Sequence, residues 1–266
     1  MTWGALIPLA MVFAYAWPYI MRLVADVRRP KLGLKRESAA LEECRRMLAD
    51  VNIEDLQPPS DLHSSEPWDT YWRLHHQTGL LGFSEMFVDD RELVRVMEAR
   101  GFRSVLCVGS GLALEPHALA AAGLRVTMLD ISRTAVAAMR AAALEPGMFS
   151  RILDASQLQP GGTLECVAGD LTDTTVCPGP YDVVIERRTL QLFPEAERGA
   201  ALAAVAARMN PNGILFTHAH DGRGGPGRPR THFVEPFFEQ CGFTRHSVES
   251  SKSATGRTAI TFLSTG

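Results

Sequence analysis

The feature that most constrains the fold is the stretch Val105–Ala113, where an apolar run ends in a Gly-x-Gly turn. Such a run followed by Gly109 and Gly111 predicts a buried parallel strand that turns sharply into a helix, because glycine allows a tight turn and the close approach of a ligand. The helix directs its N-terminal amides at the bound molecule. The next predicted strand, Arg125–Asp130, ends in a carboxylate suited to a ribose hydroxyl pair. The pattern therefore predicts a nucleoside-cofactor site.

Three further segments narrow the class of cofactor. Gly162–Leu171 predicts a short strand ending in Gly-Asp, and Tyr181–Pro194 predicts a strand leading into a polar turn. Asn210–Gly213 predicts a turn that ends an alanine-rich helix, Glu195–Met209, and precedes the strand Ile214–Thr217. In this order and spacing, the segments resemble the class I S-adenosylmethionine-dependent methyltransferases over roughly residues 100–266.

The resemblance implies a fold and a reaction. The fold is α/β, with a Rossmann-like seven-stranded and mostly parallel sheet, an antiparallel last strand, helices on both faces and an N-terminal helical segment. The reaction moves a methyl group from S-adenosyl-L-methionine to an O, N or S atom of a small acceptor, which is apolar or lipid-like if the N-terminus is anchored in a membrane.

The resemblance also assigns eight residues to the cofactor site: Gly109, Ser110, Gly111, Asp130, Ile131, Asp170, Leu171 and Glu186. The two glycines lie under the methionine part and the ribose, and Asp130 accepts from the ribose hydroxyls. Ile131 covers one adenine face, Asp170 holds the adenine amine and Leu171 lies beside the ring. Glu186 stands near the methionine moiety or the substrate. The family often has an acidic residue just before the first glycine, where this chain has Cys107 or Val108.

No catalytic base is identified from the sequence. A base is needed only for a protonated acceptor. The candidates are the two histidines at a strand end, which titrate near working pH, and one carboxylate: His218, His220 and Glu186. An aromatic and histidine-rich segment lies before the first strand, and the resemblance implies that it forms one wall of the substrate pocket. For its tryptophans, packing on the core is the alternative. An arginine after the fourth strand is also expected at the pocket. These pocket residues are Trp68, Tyr71, Trp72, His75 and Arg187. For Arg187, the partner is an acidic substrate or Glu186.

The N-terminus predicts a membrane anchor. Residues 1–21 carry no charged side chain, residues 3–21 are about long enough to span a bilayer, and six basic residues follow by position 36. The positive-inside rule then keeps the catalytic domain in the cytoplasm. A peripheral helix covering the active site, a signal peptide and a soluble cytoplasmic protein remain alternatives. The predicted parts are the N-terminal segment 1–24, a basic linker with accessory helices over 25–100, and the methyltransferase domain over 101–266.

Composition restricts the partners. A formal net charge of −3 offers no electrostatic footprint for nucleic acid, so the predicted partners are a small-molecule methyl acceptor and a membrane. Five cysteines without a Cys-x-x-Cys pair predict no metal site and a reducing compartment.

Two other functions remain open. An NAD(P)-dependent oxidoreductase would use the same glycines and Asp130, and a non-catalytic S-adenosylmethionine-binding module would close its pocket to any acceptor.

Overall fold

The computed structural model describes residues 58–78, 89–142, 149, 153–187, 189–220, 243–249 and 257–264. Two compact units divide the chain. The first comprises Met1–Pro59 and Thr70–Gly82, and the second comprises Ser60–Asp69 and Phe83–Gly266. The predicted boundaries at residues 24 and 100 stay predictions, whereas Ser60–Asp69 groups with the unit that carries the sheet.

Five helices and seven strands make up the described part. The helices are α1 Ser65–Thr78, α2 Asp89–Arg100, α3 Glu115–Ala121, α4 Arg133–Ala141 and α5 Glu195–Ala206. The strands are β1 Ser104–Val108, β2 Arg125–Asp130, β3 Thr163–Ala168, β4 Tyr181–Arg187, β5 Met209–His220, β6 Phe243–Glu249 and β7 Arg257–Ser264.

The strands form one sheet in the order β3-β2-β1-β4-β5-β7-β6. The first five of these strands run parallel, while β7 pairs antiparallel with both β5 and β6. The strand order reverses between β1 and β4, and ligands bind α/β sheets at the carboxyl ends of the strands beside such a switch point. The predicted Rossmann-like α/β fold is confirmed, and its topology directs attention to the residues that follow β1, β2, β3 and β4.

The core explains why β1 lies at the centre. Every residue from Val105 to Val108 is at most 2% exposed, so both faces of the strand are covered, as expected for a parallel sheet. One apolar cluster joins β1 to its neighbouring strands and to α2 and α3. Its members include Leu93, Val94, Met97, Val105, Cys107, Leu119, Val126, Ile185 and Phe216. A second cluster joins α4 to β2 and β3 through Met128, Val136, Met139 and Cys166.

At the amino edge of the sheet, Asp182 ties three strands together. Its Oδ2 accepts hydrogen bonds from the backbone amides of Arg103 and Ser104, at 2.8 and 2.9 Å, and its Oδ1 accepts one from Asn210 Nδ2 at 2.8 Å. Burial alone would raise the pKa of Asp182, but these hydrogen bonds outweigh it and lower the pKa. The carboxylate therefore fixes β1, β4 and β5 relative to one another at the edge opposite the predicted site.

The predicted turn at Asn210–Gly213 is wrong in detail. The helix ends at Ala206, and these residues lie within β5. The pairing of β4 with β5 shifts register between Tyr181 and Val183, and Asn212 takes a left-handed φ of 62°. A bulge inside a strand and a turn that precedes a strand both favour a residue such as Asn, which tolerates a left-handed backbone. The local sequence therefore does not distinguish the two.

The predicted membrane anchor, residues 3–21, lies outside the described residues. Among the helices that the structure describes, none combines the length and the apolar character needed to cross a bilayer.

Candidate functional site

The turn after β1 is built on two glycines. Gly109 and Gly111 both adopt left-handed conformations, with φ of 59° and 54°. A Cβ atom added to Gly109 would lie 2.2 Å from Thr189 Oγ1, far inside any allowed contact. The predicted glycine turn is therefore required both by backbone conformation and by the close approach of the turn that follows β4.

Asp130 ends β2, as predicted, and faces this turn. Its Oδ2 accepts a hydrogen bond from the Gly111 amide at 2.7 Å, and its Oδ1 accepts one from the Ser132 amide at 2.9 Å. Burial raises the pKa of Asp130 to about 6, against the lowering effect of those two hydrogen bonds. A carboxylate has about four acceptor positions, so each oxygen keeps a further one for a ligand hydroxyl. This buried acceptor beside a glycine turn fits a ribose.

A second carboxylate that the sequence analysis missed lies next to Asp130. Asp69 Oδ1 accepts from Ser132 Oγ at 2.8 Å and from the Thr134 amide at 2.8 Å. Ser132 is the N-cap of α4 and accepts from the Ala135 amide at 3.1 Å. No sequence pattern connects Asp69 to this helix, because 63 positions separate it from Ser132.

Asp170 follows β3, as predicted, and its carboxylate is held by two residues. Oδ1 accepts from the Thr172 amide at 2.7 Å and from Thr172 Oγ1 at 2.8 Å, while Oδ2 lies 2.8 Å from His63 Nδ1. The other ring nitrogen of His63, Nε2, lies 3.1 Å from Glu197 Oε2. Both nitrogens donate only in the imidazolium form.

The charges of this cluster shift the pKa values in opposite directions. The hydrogen bond to Asp170, followed by that to Glu197, raises the pKa of His63. Burial would raise the pKa of Asp170, but the hydrogen bonds from Thr172 and His63 outweigh it, so that pKa is lowered. Asp170 is thus an ionised acceptor at the place where the resemblance expects the adenine amine. His63 is the second site residue that the sequence analysis missed.

Glu186 lies at the end of β4 and is buried. Its Oε1 accepts from the Thr189 amide and, at 2.9 Å, from the Leu190 amide, while its Oε2 accepts from Thr217 Oγ1. Burial raises the pKa of Glu186 against these hydrogen bonds. Three donors of the chain itself hold the carboxylate, which indicates that it shapes the turn after β4. Its predicted roles as a cofactor contact and as a candidate base stay predictions.

Arg187 pairs with Glu115, not with the neighbouring Glu186. Its Nε and Nη2 lie 2.8 and 2.6 Å from Glu115 Oε1, and its guanidinium lies 4.9 Å from the centre of the Phe216 ring. Both charged side chains are nearly buried, at 8% and 4% exposure. Glu115 opens α3, four residues after Gly111, and the analysis of the sequence missed it. An acidic residue in the first turn of the helix after the glycines is the signal that could have found it.

The remaining predicted residues are placed at the site edge or on α1. His218 pairs in register with Arg187 across β4 and β5, and His220 ends β5, so both backbones reach the carboxyl edge. Trp68 is buried and its Nε1 donates to the Asp61 carbonyl at 2.8 Å.

Two further aromatic residues of the predicted pocket, Tyr71 and Trp72, lie one after the other on α1. Their rings pack edge to face with centres 5.1 Å apart. His75 lies on the same helix. The pocket role of these α1 residues and of Trp68 stays a prediction.

The arrangement fits a nucleoside cofactor along the carboxyl ends of β1, β2 and β3. A left-handed glycine turn at Gly109, a buried acceptor at Asp130 and an ionised acceptor at Asp170 follow three neighbouring strands of the sheet. Ile131 and Leu171, directly after the two aspartates, supply apolar side chains beside them, and Leu171 is buried.

Comparisons with known proteins agree with this geometry. Residues 105–213 match the family model of a methyltransferase domain, while no curated protein matches the chain. Magnesium protoporphyrin IX methyltransferase from Synechocystis PCC 6803, solved with bound SAM, is 19% identical with a TM-score of 0.51, and the match covers 85% of this chain and 92% of that one. The 1,6-didemethyltoxoflavin-N1-methyltransferase of Burkholderia thailandensis is 16% identical with a TM-score of 0.53, covering 79% of this chain and 94% of that one.

At these identities the two solved structures show a shared fold, and the family model shows the type of domain. The glycine turn and both aspartates lie within the matched residues. Residues 105–213 therefore carry a methyltransferase domain, which is consistent with the resemblance to the class I S-adenosylmethionine-dependent methyltransferases.

Proposed function

We propose that this enzyme binds S-adenosyl-L-methionine along the carboxyl ends of β1 to β3 and methylates a small molecule. The observation that carries the proposal is the hydrogen bond from the Gly111 amide to Asp130, which joins the glycine turn to a buried carboxylate. The glycine turn and the carboxylate of Asp130 would both contact the ribose of the cofactor. The turn admits the ribose closely, and the carboxylate accepts its hydroxyl groups.

The adenine end of the proposed site is built on Asp170. Its Oδ2 receives one hydrogen bond from His63 and has a further acceptor position for the exocyclic amine. Ile131 and Leu171 would enclose the ring. Asp170 gives the proposal a second independent support, because an ionised acceptor there has no evident use in an NAD(P)-dependent oxidoreductase.

We assign the amino group of the cofactor to Glu115. The family's frequent acidic position before Gly109 is apolar here, and Glu115 brings a carboxylate to the first turn of α3 instead. Both hydrogen bonds from Arg187 reach Oε1, and within the described part of the chain no hydrogen bond reaches Oε2. Oε2 therefore keeps free acceptor positions on a side chain that is only 4% exposed, and a carboxylate with free acceptor positions fits an ammonium group.

S-adenosylmethionine, when bound, supplies a methyl group that is already activated by its sulfonium. The chain's task is then to hold the acceptor in line, to exclude water and, for a protonated acceptor, to remove a proton. His218 and His220, at the carboxyl end of β5, are proposed for the proton, because Glu186 is already held by three donors of the chain. The acceptor is proposed to be a small molecule, as 1,6-didemethyltoxoflavin is in the Burkholderia structure.

The proposal extends to the complete sheet and to the N-terminus. We propose that β7, which lies between β5 and β6 and runs antiparallel to β5, completes the seven-stranded sheet of a methyltransferase fold.

We also propose that residues 3–21 attach the enzyme to a membrane and that its catalytic domain lies in the cytoplasm. The support is the uncharged run and the basic residues that follow it. Flotation of the full chain with phospholipid vesicles tests this attachment. Recovery in the lipid fraction is expected, and recovery only in the dense fraction contradicts it.

Calorimetric titration of the full chain tests the cofactor. S-adenosylmethionine and S-adenosylhomocysteine are expected to bind at micromolar concentration, while NADH does not. Asp130→Asn is expected to weaken that binding by at least about tenfold, because one ribose acceptor is lost. Asp182→Asn is the matched control, since Asp182 is also a hydrogen-bonded aspartate but lies at the amino edge. Binding of NADH alone would show an oxidoreductase. Binding of both S-adenosyl compounds with no acceptor methylated in a substrate screen would show a non-catalytic module.

A further inference from the structure

Ser132 lies between two carboxylates and is fully buried. Its amide donates to Asp130 Oδ1 at 2.9 Å, and its hydroxyl donates to Asp69 Oδ1 at 2.8 Å. A serine hydroxyl has a single proton, and here its oxygen also accepts from the Ala135 amide. The only donation that the hydroxyl can make therefore goes to Asp69, which fixes the orientation of the side chain.

Asp69 also determines where α4 begins. The same oxygen that receives the Ser132 hydroxyl accepts from the Thr134 amide at 2.8 Å. The first amides of a helix have no partner within it, so Asp69 and Ser132 between them satisfy two such groups, those of Thr134 and Ala135. The start of the helix is thereby held from a distant part of the chain.

The resulting hydrogen-bond chain runs from Asp69 through Ser132 to Asp130, and from Asp130 to the Gly111 amide. Its last two members form the proposed ribose site. Asp69 belongs to the same compact unit as the sheet, although it precedes β1 in sequence. Nothing in the glycine turn or in β2 requires an acid at position 69, so this residue adds an element to the site that those motifs lack.

We propose that Asp69 is a positioning residue of the ribose subsite, which acts through Ser132 to hold the carboxylate of Asp130 toward the cofactor's hydroxyl groups. This inference rests on the proposed binding of S-adenosylmethionine. Asp69 makes no contact with the cofactor itself in this assignment. Its negative charge is also a lesser cause, after burial, of the raised pKa of Asp130, which provides a second way to detect the connection.

The test compares Asp69→Ala and Asp69→Asn in the full chain. Calorimetric titration with S-adenosylhomocysteine is expected to show a loss of affinity of about tenfold for Asp69→Ala, the effect of about one hydrogen bond. Asp69→Asn keeps an acceptor oxygen and is expected to recover most of that affinity. Glu66→Gln, an exposed acid one turn earlier on α1, is the matched control and is expected to leave the affinity unchanged.

Two further measurements separate positioning from a general loss of structure. The 2′-deoxyribose analogue of S-adenosylhomocysteine lacks one hydroxyl group for Asp130, so Asp69→Ala is expected to change its affinity much less. In Asp69→Asn, the midpoint of the pH dependence of affinity is expected to move to lower pH, because a negative charge near Asp130 is gone. If Asp69→Ala does not fold, the pH midpoint of Asp69→Asn still tests the proposal, and an unmoved midpoint then overturns it.

The outcomes are distinct. No binding of S-adenosylhomocysteine by the unsubstituted chain overturns the proposed function and the ribose subsite together. Binding by the unsubstituted chain that Asp69→Ala leaves unchanged overturns the role of Asp69 alone. An equal loss for the deoxyribose analogue, with no shift of the pH midpoint in Asp69→Asn, also overturns it, because the residue then acts on the fold in general.

Discussion

Replacing Gly109 by alanine tests the geometry of the turn after β1 most directly. Two separate effects oppose the added methyl group. The backbone φ of 59° is left-handed, and the new Cβ would lie 2.2, 2.6 and 2.9 Å from Oγ1, Cγ2 and Cβ of Thr189. Rotating the Thr189 side chain moves its Oγ1 and Cγ2 but leaves its Cβ in place, so the backbone itself must shift.

The magnitude follows from the two effects. A left-handed conformation is unfavourable for a residue with a Cβ by about 1–2 kcal/mol. Forcing an extra methyl group into a packed region adds about 1–3 kcal/mol. Gly109→Ala is therefore expected to lower the free energy of unfolding by about 2–5 kcal/mol.

Two other glycines separate these effects. Gly101 has a φ of 70° but no atom within 4 Å of an added Cβ, so Gly101→Ala is expected to be destabilising by only about 1–2 kcal/mol. Gly199 lies within α5 with open space around it, so Gly199→Ala is expected to stabilise by about 0.5–1 kcal/mol. Urea unfolding monitored by far-ultraviolet circular dichroism gives all three values.

A double substitution identifies the clash. In Gly109→Ala with Thr189→Ala, Oγ1 and Cγ2 are absent and only the contact with Cβ remains. The pair is expected to be more stable than the sum of the two single changes by at least about 1 kcal/mol. A loss for Gly109→Ala no larger than that for Gly101→Ala, or additive effects of the pair, would refute the close approach of the two turns.

Three more predictions follow from the buried charges. Burial raises the pKa of Asp130 to about 6 from 3.8, so the folded chain binds that proton more tightly than the unfolded chain. The free energy of unfolding is therefore expected to fall as pH rises between about 4 and about 6. In urea unfolding across this range, the free energy of unfolding of Asp130→Asn is expected to depend less on pH. Glu115→Gln is expected to lower affinity for S-adenosylhomocysteine by about tenfold in calorimetry, yet to leave 5′-methylthioadenosine, which lacks the amino acid, unaffected. Arg208 is fully buried and donates to the carbonyls of four residues, so Arg208→Met is expected to lower the free energy of unfolding by at least about 3 kcal/mol in urea, and a smaller loss would contradict that role.

The sequence was sufficient wherever a property depends on neighbouring residues. The apolar run before Gly109, the positive φ of Gly109 and Gly111, and the carboxylate that ends β2 were all predictable, because strand burial and turn geometry are local. The same holds for the Gly-Asp sequence after β3. Since the carboxyl ends of parallel strands meet at one edge of a sheet, the order of these motifs also predicted their assembly into one site.

The irregular pairing within β5 escaped prediction for a different reason. Asn210 to Gly213 have the composition of a turn, and their place in the strand depends on Asp182 of β4, whose Oδ1 receives the Asn210 side chain. This partner lies 28 positions away, so the local sequence does not reveal it.

The glycine turn, the strand-end aspartates and the methyltransferase domain could be predicted from the sequence alone. Only the tertiary structure decided their partners: Asp69 with Ser132, His63 with Asp170, and Arg187 with Glu115. These pairs are 63, 107 and 72 positions apart. Hydrogen bonds and ion pairs act over a few ångströms, and one sequence carries no record of which distant polar groups folding brings within that range.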